Sequence, residues 1–158
     1  VTLVQLTRYA LGGHLPSLIE LDAEVGAELG LSYSSEKWGA HEFERDLPGK
    51  WDLSVLALDG SHAVCAFLVA SVKEDTTLYV HRVAVKAGYR GRAVGSRLIR
   101  AVAQAGAARG LERLVLVVSR CNAAALRFYR ALGFEVAIAN TSFGNQQLEV
   151  NIGRLAQV

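Results

Sequence analysis

Residues 83–96 read Val83-Ala84-Val85-Lys86-Ala87-Gly88-Tyr89-Arg90-Gly91-Arg92-Ala93-Val94-Gly95-Ser96 and join a predicted strand to a predicted helix. A strand that enters a helix through a glycine-containing loop presents outward-pointing N–H groups and the positive end of the helix dipole. Gly91 and Gly95 would let the backbone approach a ligand closely, and Arg90 and Arg92 add attraction. We therefore expect an anion-binding loop, with an ordinary strand-to-helix turn as the alternative.

The remaining residues predict an α/β chain in the order α-α-β-β-β-α-β-α-β-β. Helices are expected at 15–30, from after Ser34-Ser35 to Leu47, at 94–110 and at 122–132, where apolar residues recur every three or four positions. Strands are expected at 51–55, 63–72, 76–85, 114–118, 134–139 and 147–152, which alternate or are β-branched. A length of 158 residues without a linker predicts a single domain over residues 1–158.

Charge is unevenly distributed along the chain. Residues 1–81 hold five Lys/Arg against twelve Asp/Glu, whereas residues 82–130 hold eleven Lys/Arg against one Glu. The formal net charge is only +2. Such a field predicts an anionic ligand for the second half and weakly suggests that the first half faces something cationic.

Several functional classes are excluded by composition. No apolar run approaches the roughly twenty residues of a membrane span, and no signal peptide is recognisable, so we expect no membrane partner and a cytoplasmic location. Cys65 and Cys121 form no CxxC and no Cys/His cluster, so neither a disulfide framework nor a metal site is expected. No Lys/Arg block or groove-reading motif predicts a nucleic-acid partner.

A second motif follows the strand 114–118 and reads Asn122-Ala123-Ala124-Ala125-Leu126-Arg127-Phe128-Tyr129-Arg130-Ala131-Leu132-Gly133-Phe134. With Val83-Ala84-Val85 and the loop 90–95, it closely resembles the GNAT superfamily of acyl-CoA-dependent N-acetyltransferases. The family's loop motif is Arg/Gln-x-x-Gly-x-Gly/Ala, and Ala93 stands here where glycine is usual. The resemblance covers residues 78–136, with a weaker similarity to the ribosomal-protein alanine acetyltransferase branch.

The resemblance implies the GNAT fold, a mixed and mostly antiparallel sheet of six to seven strands, flanked by about four helices. The sheet would splay to admit the pantetheine arm of acetyl-CoA, a co-substrate used without a metal. Backbone groups of Arg90, Gly91, Arg92, Ala93, Val94, Gly95 and Ser96 would bind the pyrophosphate. Val83 and Val85 would bind the pantetheine, and the Val83 or Ala84 N–H would polarise the thioester.

The resemblance also implies roles for two residues of the helix 122–132. Asn122 would bind the pantetheine or a catalytic water, besides capping its helix. Tyr129 would act as the general acid at the departing sulfur, with an aromatic anchor in the core as the alternative.

The general base is left open by the sequence. His81 lies two residues before Val83, is expected on the same face of the strand, and titrates near neutral pH, with a hydrogen-bonded sheet histidine as the alternative. Glu74 and Asp75 precede the strand and are further candidates, with solvated turn carboxylates as the alternative; a chain of water molecules is another route. Trp38, His41 and Phe43 belong to the region that covers the acceptor in this fold, with a core position as the alternative for Trp38 and Phe43.

These inferences predict transfer of an acetyl group from acetyl-CoA to a primary amine of a small molecule, by direct attack in a ternary complex. A peptide N-terminus is the alternative acceptor. A non-catalytic acyl-CoA-binding module is the alternative from another class, favoured by Ala93 and by the lack of a carboxylate on the third strand. The apolar faces of the last strands permit a homodimer without requiring one.

Overall fold

The computed structural model describes residues 1–33 and 36–156. Its strands are β1 (Thr2–Gln5), β2 (Val55–Leu58), β3 (Val64–Lys73), β4 (Thr77–Val85), β5 (Arg113–Ser119), β6 (Glu135–Ile138) and β7 (Asn145–Asn151). They form one sheet in the order β1-β2-β3-β4-β5-β7-β6. Only β4 and β5 pair in parallel, and the other neighbours are antiparallel. The predicted mixed, mostly antiparallel sheet is therefore confirmed.

The helices of the described residues are α1 (Arg8–Leu29), α2 (Ala40–Glu44), α3 (Lys50–Leu53), α4 (Val94–Ala108), α5 (Ala123–Ala131) and α6 (Ile152–Ala156). The longest, α1, covers one face of the sheet, where Leu18 and Val25 pack in a cluster with Phe67 of β3. On the opposite face, Leu98 of α4 packs in a cluster that includes residues of β4 and β5, among them Leu114 of β5. The sheet is thus buried on both faces.

The sequence-based boundaries are wrong in the first third of the chain. Residues 51–55, predicted as a strand, begin with α3, because Gly49 adopts a left-handed conformation and its carbonyl accepts the first helical bonds from Asp52 and Leu53. The first helix begins at Arg8 instead of residue 15, capped by the Thr7 side chain. Strand β1 was not predicted. The second helix spans only 40–44, and its predicted start at Ser34-Ser35 lies outside the described residues.

Strands β4 and β5 part after a short paired segment. Thr77–Tyr79 pairs with Arg113–Val115, and no further pair joins the two strands within the described residues. Beyond this point β4 stays paired with β3 through Val85, while β5 stays paired with β7 through Ser119. A V-shaped opening therefore separates the carboxyl-terminal halves of the two strands.

A β-bulge at His81 changes which side chains of β4 face each side of the sheet. Val69 pairs with Arg82 but Ala70 pairs with Val80, so His81 is the extra residue. Val80 and Val83 both pack toward the α4 side. His81 and Arg82 instead line a groove on the α1 side. The expectation that His81 shares a face with Val83 is therefore wrong, because the bulge interrupts the two-residue alternation.

A buried ion pair joins α1 to β4 just after this bulge. The Arg82 Nε and Nη2 atoms each donate to an Asp22 carboxylate oxygen at 2.8 Å. Tyr33 donates its hydroxyl to Asp22 at 2.6 Å, and the Tyr33 and Trp38 rings lie 4.3 and 5.3 Å from the guanidinium. Arg82 also donates to the Glu36 carbonyl at 3.0 Å. This cluster, the Asp22–Arg82 cluster, connects α1, β4 and the segment before α2.

Replacing Asp22 by alanine should lower the free energy of unfolding by about 3–5 kcal/mol, because a buried guanidinium would lose its counter-charge. Urea denaturation measures this loss. The matched control is Asp52→Ala, which breaks the exposed pair with Arg109 and should cost less than about 1 kcal/mol. Equal losses in the two variants would contradict the importance assigned to the buried pair.

Candidate active site

The edge of β4 that faces the opening presents backbone groups of two valines. The Lys86 N–H donates to the Cys65 carbonyl at 2.8 Å, so the backbone groups of Lys86 point toward β3. The backbone N–H and C=O groups of successive residues point alternately to the two edges of an antiparallel strand. Those of Ala84 therefore also point toward β3, whereas those of Val83 and Val85 point into the opening. Of the two N–H groups considered for polarising a thioester, the orientation therefore favours Val83. The Val85 carbonyl accepts from Arg90 Nε at 3.0 Å.

The loop after β4 ends at an uncapped helix start. Ala93 precedes α4 in the left-handed region (φ 62°, ψ 13°), and no side chain of the described residues caps this helix. The first N–H groups of a helix have no acceptor within it, so those of residues 94–96 are available to an anion. Gly91 also has a positive φ of 75°. Two left-handed residues thus turn the chain from the sheet edge into α4.

The small residues of this loop serve different purposes. Gly91 has open space around it, so its positive φ is the reason for glycine there. Ala93 holds a similar conformation at a cost of about 1 kcal/mol relative to the right-handed region. A Cβ on Gly95 would lie 3.3 Å from the Phe128 ring, so Gly95 permits close packing of α4 on α5. Gly95 thus has a packing role, and the expectation that it also makes room for a ligand stays a prediction.

The two arginines of the loop also differ. Arg90 is held by the Val85 carbonyl and by Glu28 at 2.6 Å, so it ties the loop to α1. Arg92 lies 5.6 Å from the Tyr89 ring centroid and has no carboxylate partner within the described chain. Arg92 is therefore the side chain available to an anionic ligand, whereas Arg90 acts on the conformation of the loop.

Asn122 and Tyr129 are on α5, across the opening from β4. The Asn122 Oδ1 accepts from the Ala125 N–H at 3.1 Å, which is the expected cap, and its Nδ2 donates to the Ser32 carbonyl at 3.4 Å. Tyr129 is buried between Phe128 and Phe134, with ring centroids 5.0 and 5.2 Å away. Burial raises the pKa of Tyr129, so its phenol stays protonated at neutral pH.

A groove of about 610 Å³ lies on the α1 side of the bulge, lined by Glu36, Lys37, Trp38, His41, Glu42, Arg45, Tyr79, His81 and Arg82. We call it the α2 groove. The His81 Nε2 lies 2.6 Å from Ser71 Oγ, and the His81 ring stacks against Tyr79 at 4.8 Å. Burial, followed by the charges of Lys73, Arg45 and Lys50, lowers the pKa of His81 to about 4. The imidazole is therefore uncharged at neutral pH.

The groove contains residues that the sequence did not single out. Tyr79 lies two positions before His81, and Arg45 directly follows α2. Side chains two positions apart on a strand share a face, so the choice of His81 as a candidate also indicates Tyr79. No sequence signal identifies Arg45, because its place depends on how the short helix α2 packs.

Glu74 and Asp75 lie at the opposite end of β4. Both are in the turn between β3 and β4, and Glu74 is 3.8 Å from Arg113 at the start of β5. From Thr77 to Val83 the strand rises by about 20 Å. This separation argues against either carboxylate as the base at the opening.

The described residues contain neither a candidate membrane span nor a candidate metal cluster. No helix among them is long and apolar enough to cross a membrane. No group of three or more His, Cys, Asp or Glu side chains among them could hold a metal ion.

Comparisons with known proteins agree with this geometry. Three solved structures share the fold: the ribosomal-protein alanine N-acetyltransferase of Escherichia coli (21% identity, 96% of this chain and 93% of that chain covered, TM-score 0.72), the PaiA N-acetyltransferase of Thermoplasma acidophilum in complex with coenzyme A (18%, 95% and 98%, 0.77), and an aminoglycoside 6′-N-acetyltransferase complexed with coenzyme A (16%, 96% and 97%, 0.74). No curated protein matches the chain. The model of the acetyltransferase (GNAT) family matches residues 21–134, from α1 through α5. The chain therefore belongs to the GNAT family of acetyltransferases.

Proposed function

We propose that this protein transfers an acetyl group from acetyl-CoA to the primary amine of a small molecule. The observation that carries the proposal is the opening between β4 and β5, with Val83 directed into it and the uncapped start of α4 beside it. A thioester arm would enter the opening and a pyrophosphate would meet the N–H groups of residues 94–96. The α2 groove of about 610 Å³ has the size of a small-molecule site and reaches the same segment of β4.

Acetyl-CoA supplies a thioester whose carbonyl carbon accepts the amine nitrogen. The Val83 N–H would donate to the carbonyl oxygen as negative charge develops on it. The new C–N bond forms as the C–S bond breaks, the amine loses one proton, and the departing sulfur gains one. Tyr129 would donate a hydrogen bond and then its proton to that sulfur. Because burial raises the pKa of Tyr129 and disfavours its phenolate, the proton lost by the amine would return to Tyr129 through water in the same turnover.

Deprotonation of the amine is the step for which the chain offers the fewest suitable side chains. A primary amine of pKa near 10 is neutral about one time in a thousand at pH 7. His81 is uncharged and accessible from the α2 groove, but a base with a pKa of about 4 takes up little proton at that pH. We propose that His81 orients the amine or a water molecule and that the proton leaves through water.

Calorimetric titration with acetyl-CoA should give micromolar binding, with ATP and NADPH as anionic controls that bind more weakly. Arg92→Gln should weaken acetyl-CoA binding about three- to tenfold, because it removes a cation beside the helix start. The matched control is Arg154→Gln on α6, far from the opening, which should leave binding unchanged. Equal binding of all three ligands would indicate a generic anion site and contradict the proposal.

Replacing Tyr129 by phenylalanine should lower kcat by about 100-fold or more and leave the acetyl-CoA Kd unchanged, because the ring remains and only the proton donor is lost. Steady-state release of free CoA thiol measures kcat. Tyr9→Phe is the matched control, since the Tyr9 side chain is 94% exposed. An unchanged kcat in Tyr129→Phe would show that another group protonates the sulfur.

The pKa of His81 predicts a pH dependence of stability. The pKa is about 6.5 in the unfolded chain and about 4 in the folded protein, so the unfolded state binds more protons between these values. The free energy of unfolding should therefore fall by about 2 kcal/mol between pH 6.5 and pH 4, on account of this group. Denaturation across this range should show the fall in the wild type and a smaller one in His81→Gln. The same slope in His81→Gln as in the exposed-site control His62→Gln would contradict the assignment.

A further inference from the structure

In the described part of the chain, five of the twelve carboxylates of the acidic first half form ion pairs with arginines. Asp22 pairs with Arg82, Glu28 with Arg90, Asp46 with Arg8, Asp52 with Arg109, and Glu74 with Arg113. Most of these partners come from the basic second half of the chain. Tertiary contacts therefore neutralise part of the charge asymmetry of the sequence.

The α2 groove instead holds cations without carboxylate partners. Arg45 and Lys37 line it, and neither forms an ion pair within residues 1–33 and 36–156. The Lys73 ammonium lies 4.1 Å from the centroid of the Tyr79 ring, which is part of the groove wall. Both Lys73 and Arg45 are close enough to His81 for their charges to oppose its protonation. The wall around Tyr79 and His81 is therefore electropositive.

Two carboxylates, Glu36 and Glu42, also line the α2 groove, and Glu42 is engaged at the start of α2. Glu42 accepts from the Gly39 N–H at 2.8 Å through one oxygen, and its other oxygen lies 3.0 Å from His41 Nδ1. These bonds, the Gly39 one first, lower the pKa of Glu42 and tie it to the start of α2. Glu42 is thus used to cap the short helix.

The backbone that carries Arg45 is held firmly. Lys50 is fully buried, and its ammonium donates to the carbonyls of Phe43 and Arg45 at 2.6 Å each. The end of α2 is thereby fixed, and Arg45 projects from it beside the groove. A guanidinium in such a place presents a planar donor pair that matches a carboxylate.

We propose that the acceptor is a small amine that also carries a carboxylate, such as a free amino acid, and that Arg45 in the groove wall binds this carboxylate. The proposal rests on the proposed function and adds a substrate class to it. The amine would then lie toward His81 and Val83, with the carboxylate toward α2. A polycationic acceptor such as an aminoglycoside is disfavoured by the same cations.

Paired ligands that differ only in the carboxylate test this proposal. L-Phenylalanine and L-phenylalaninamide, and glycine and glycinamide, would be titrated calorimetrically into the protein saturated with CoA. Each acid should bind at least tenfold more tightly than its amide, and kcat/KM with acetyl-CoA should favour the acid. The amide has the less basic amine, so a larger neutral fraction cannot explain a preference for the acid.

Variants assign the preference to Arg45. Arg45→Gln should reduce the acid-over-amide ratio at least fivefold, because it removes the planar donor pair from the groove wall. Arg154→Gln removes the same charge on α6 and should leave the ratio unchanged. Binding of the acids should also shift the imidazole NMR signals of His81 in the wild type, and less so in Arg45→Gln.

Three outcomes would overturn the proposal. They are an amide that binds as well as its acid, no binding of either acid at concentrations up to about 10 mM, and a hexapeptide beginning with alanine that binds more tightly than either acid. If acetyl-CoA itself does not bind, the proposed function fails. If acetyl-CoA binds but the acid is not preferred, only the substrate class fails.

Discussion

The parting of β4 from β5 is the constraint on which the rest of the site depends. Three residue pairs hold the two strands together, and each then follows its other neighbour. Parallel strands that separate leave N–H and C=O groups of a central strand without partners, which is costly unless a ligand or water satisfies them. The opening therefore places backbone groups of Val83 where a ligand can reach them, beside the start of α4.

The bulge at His81 and the Asp22–Arg82 cluster act together on the other face. Without the bulge, the alternation that starts at Val80 would leave His81 on the α1 side but would turn Arg82 toward α4, away from Asp22. With it, two consecutive side chains reach the α1 side, and Arg82 is neutralised by Asp22 beneath the rings of Tyr33 and Trp38. Because of this one extra residue, Val80 and Val83 pack on the α4 side while His81 and Arg82 both line the α2 groove.

The short helices show how limited local signals are in this chain. Residues 51–53 alternate like a strand, yet Gly49 and the buried Lys50 ammonium stabilise a helical turn there. The Lys50 contact joins residues five and seven positions apart, and it depends on the seating of α2. Arg45, which we assign to the acceptor, depends on the same arrangement, so its position could not be predicted from a pattern.

Periodicity and motif spacing were sufficient for β3 to β7, α4 and α5, and for the family. Except for the exposed strand β6, these segments bury apolar residues, and they carry the loop and helix motifs. The Asn122 cap was also predictable, since a capping side chain acts within three residues. The side of the sheet that His81 faces, the packing role of Gly95 against Phe128 and the tether formed by Arg90 were not predictable. Each depends on a neighbour distant in sequence, and so do the ion pairs between four carboxylates of the acidic first half and arginines of the second. Local sequence specifies which elements form, whereas long-range pairing specifies which side chains remain free to bind.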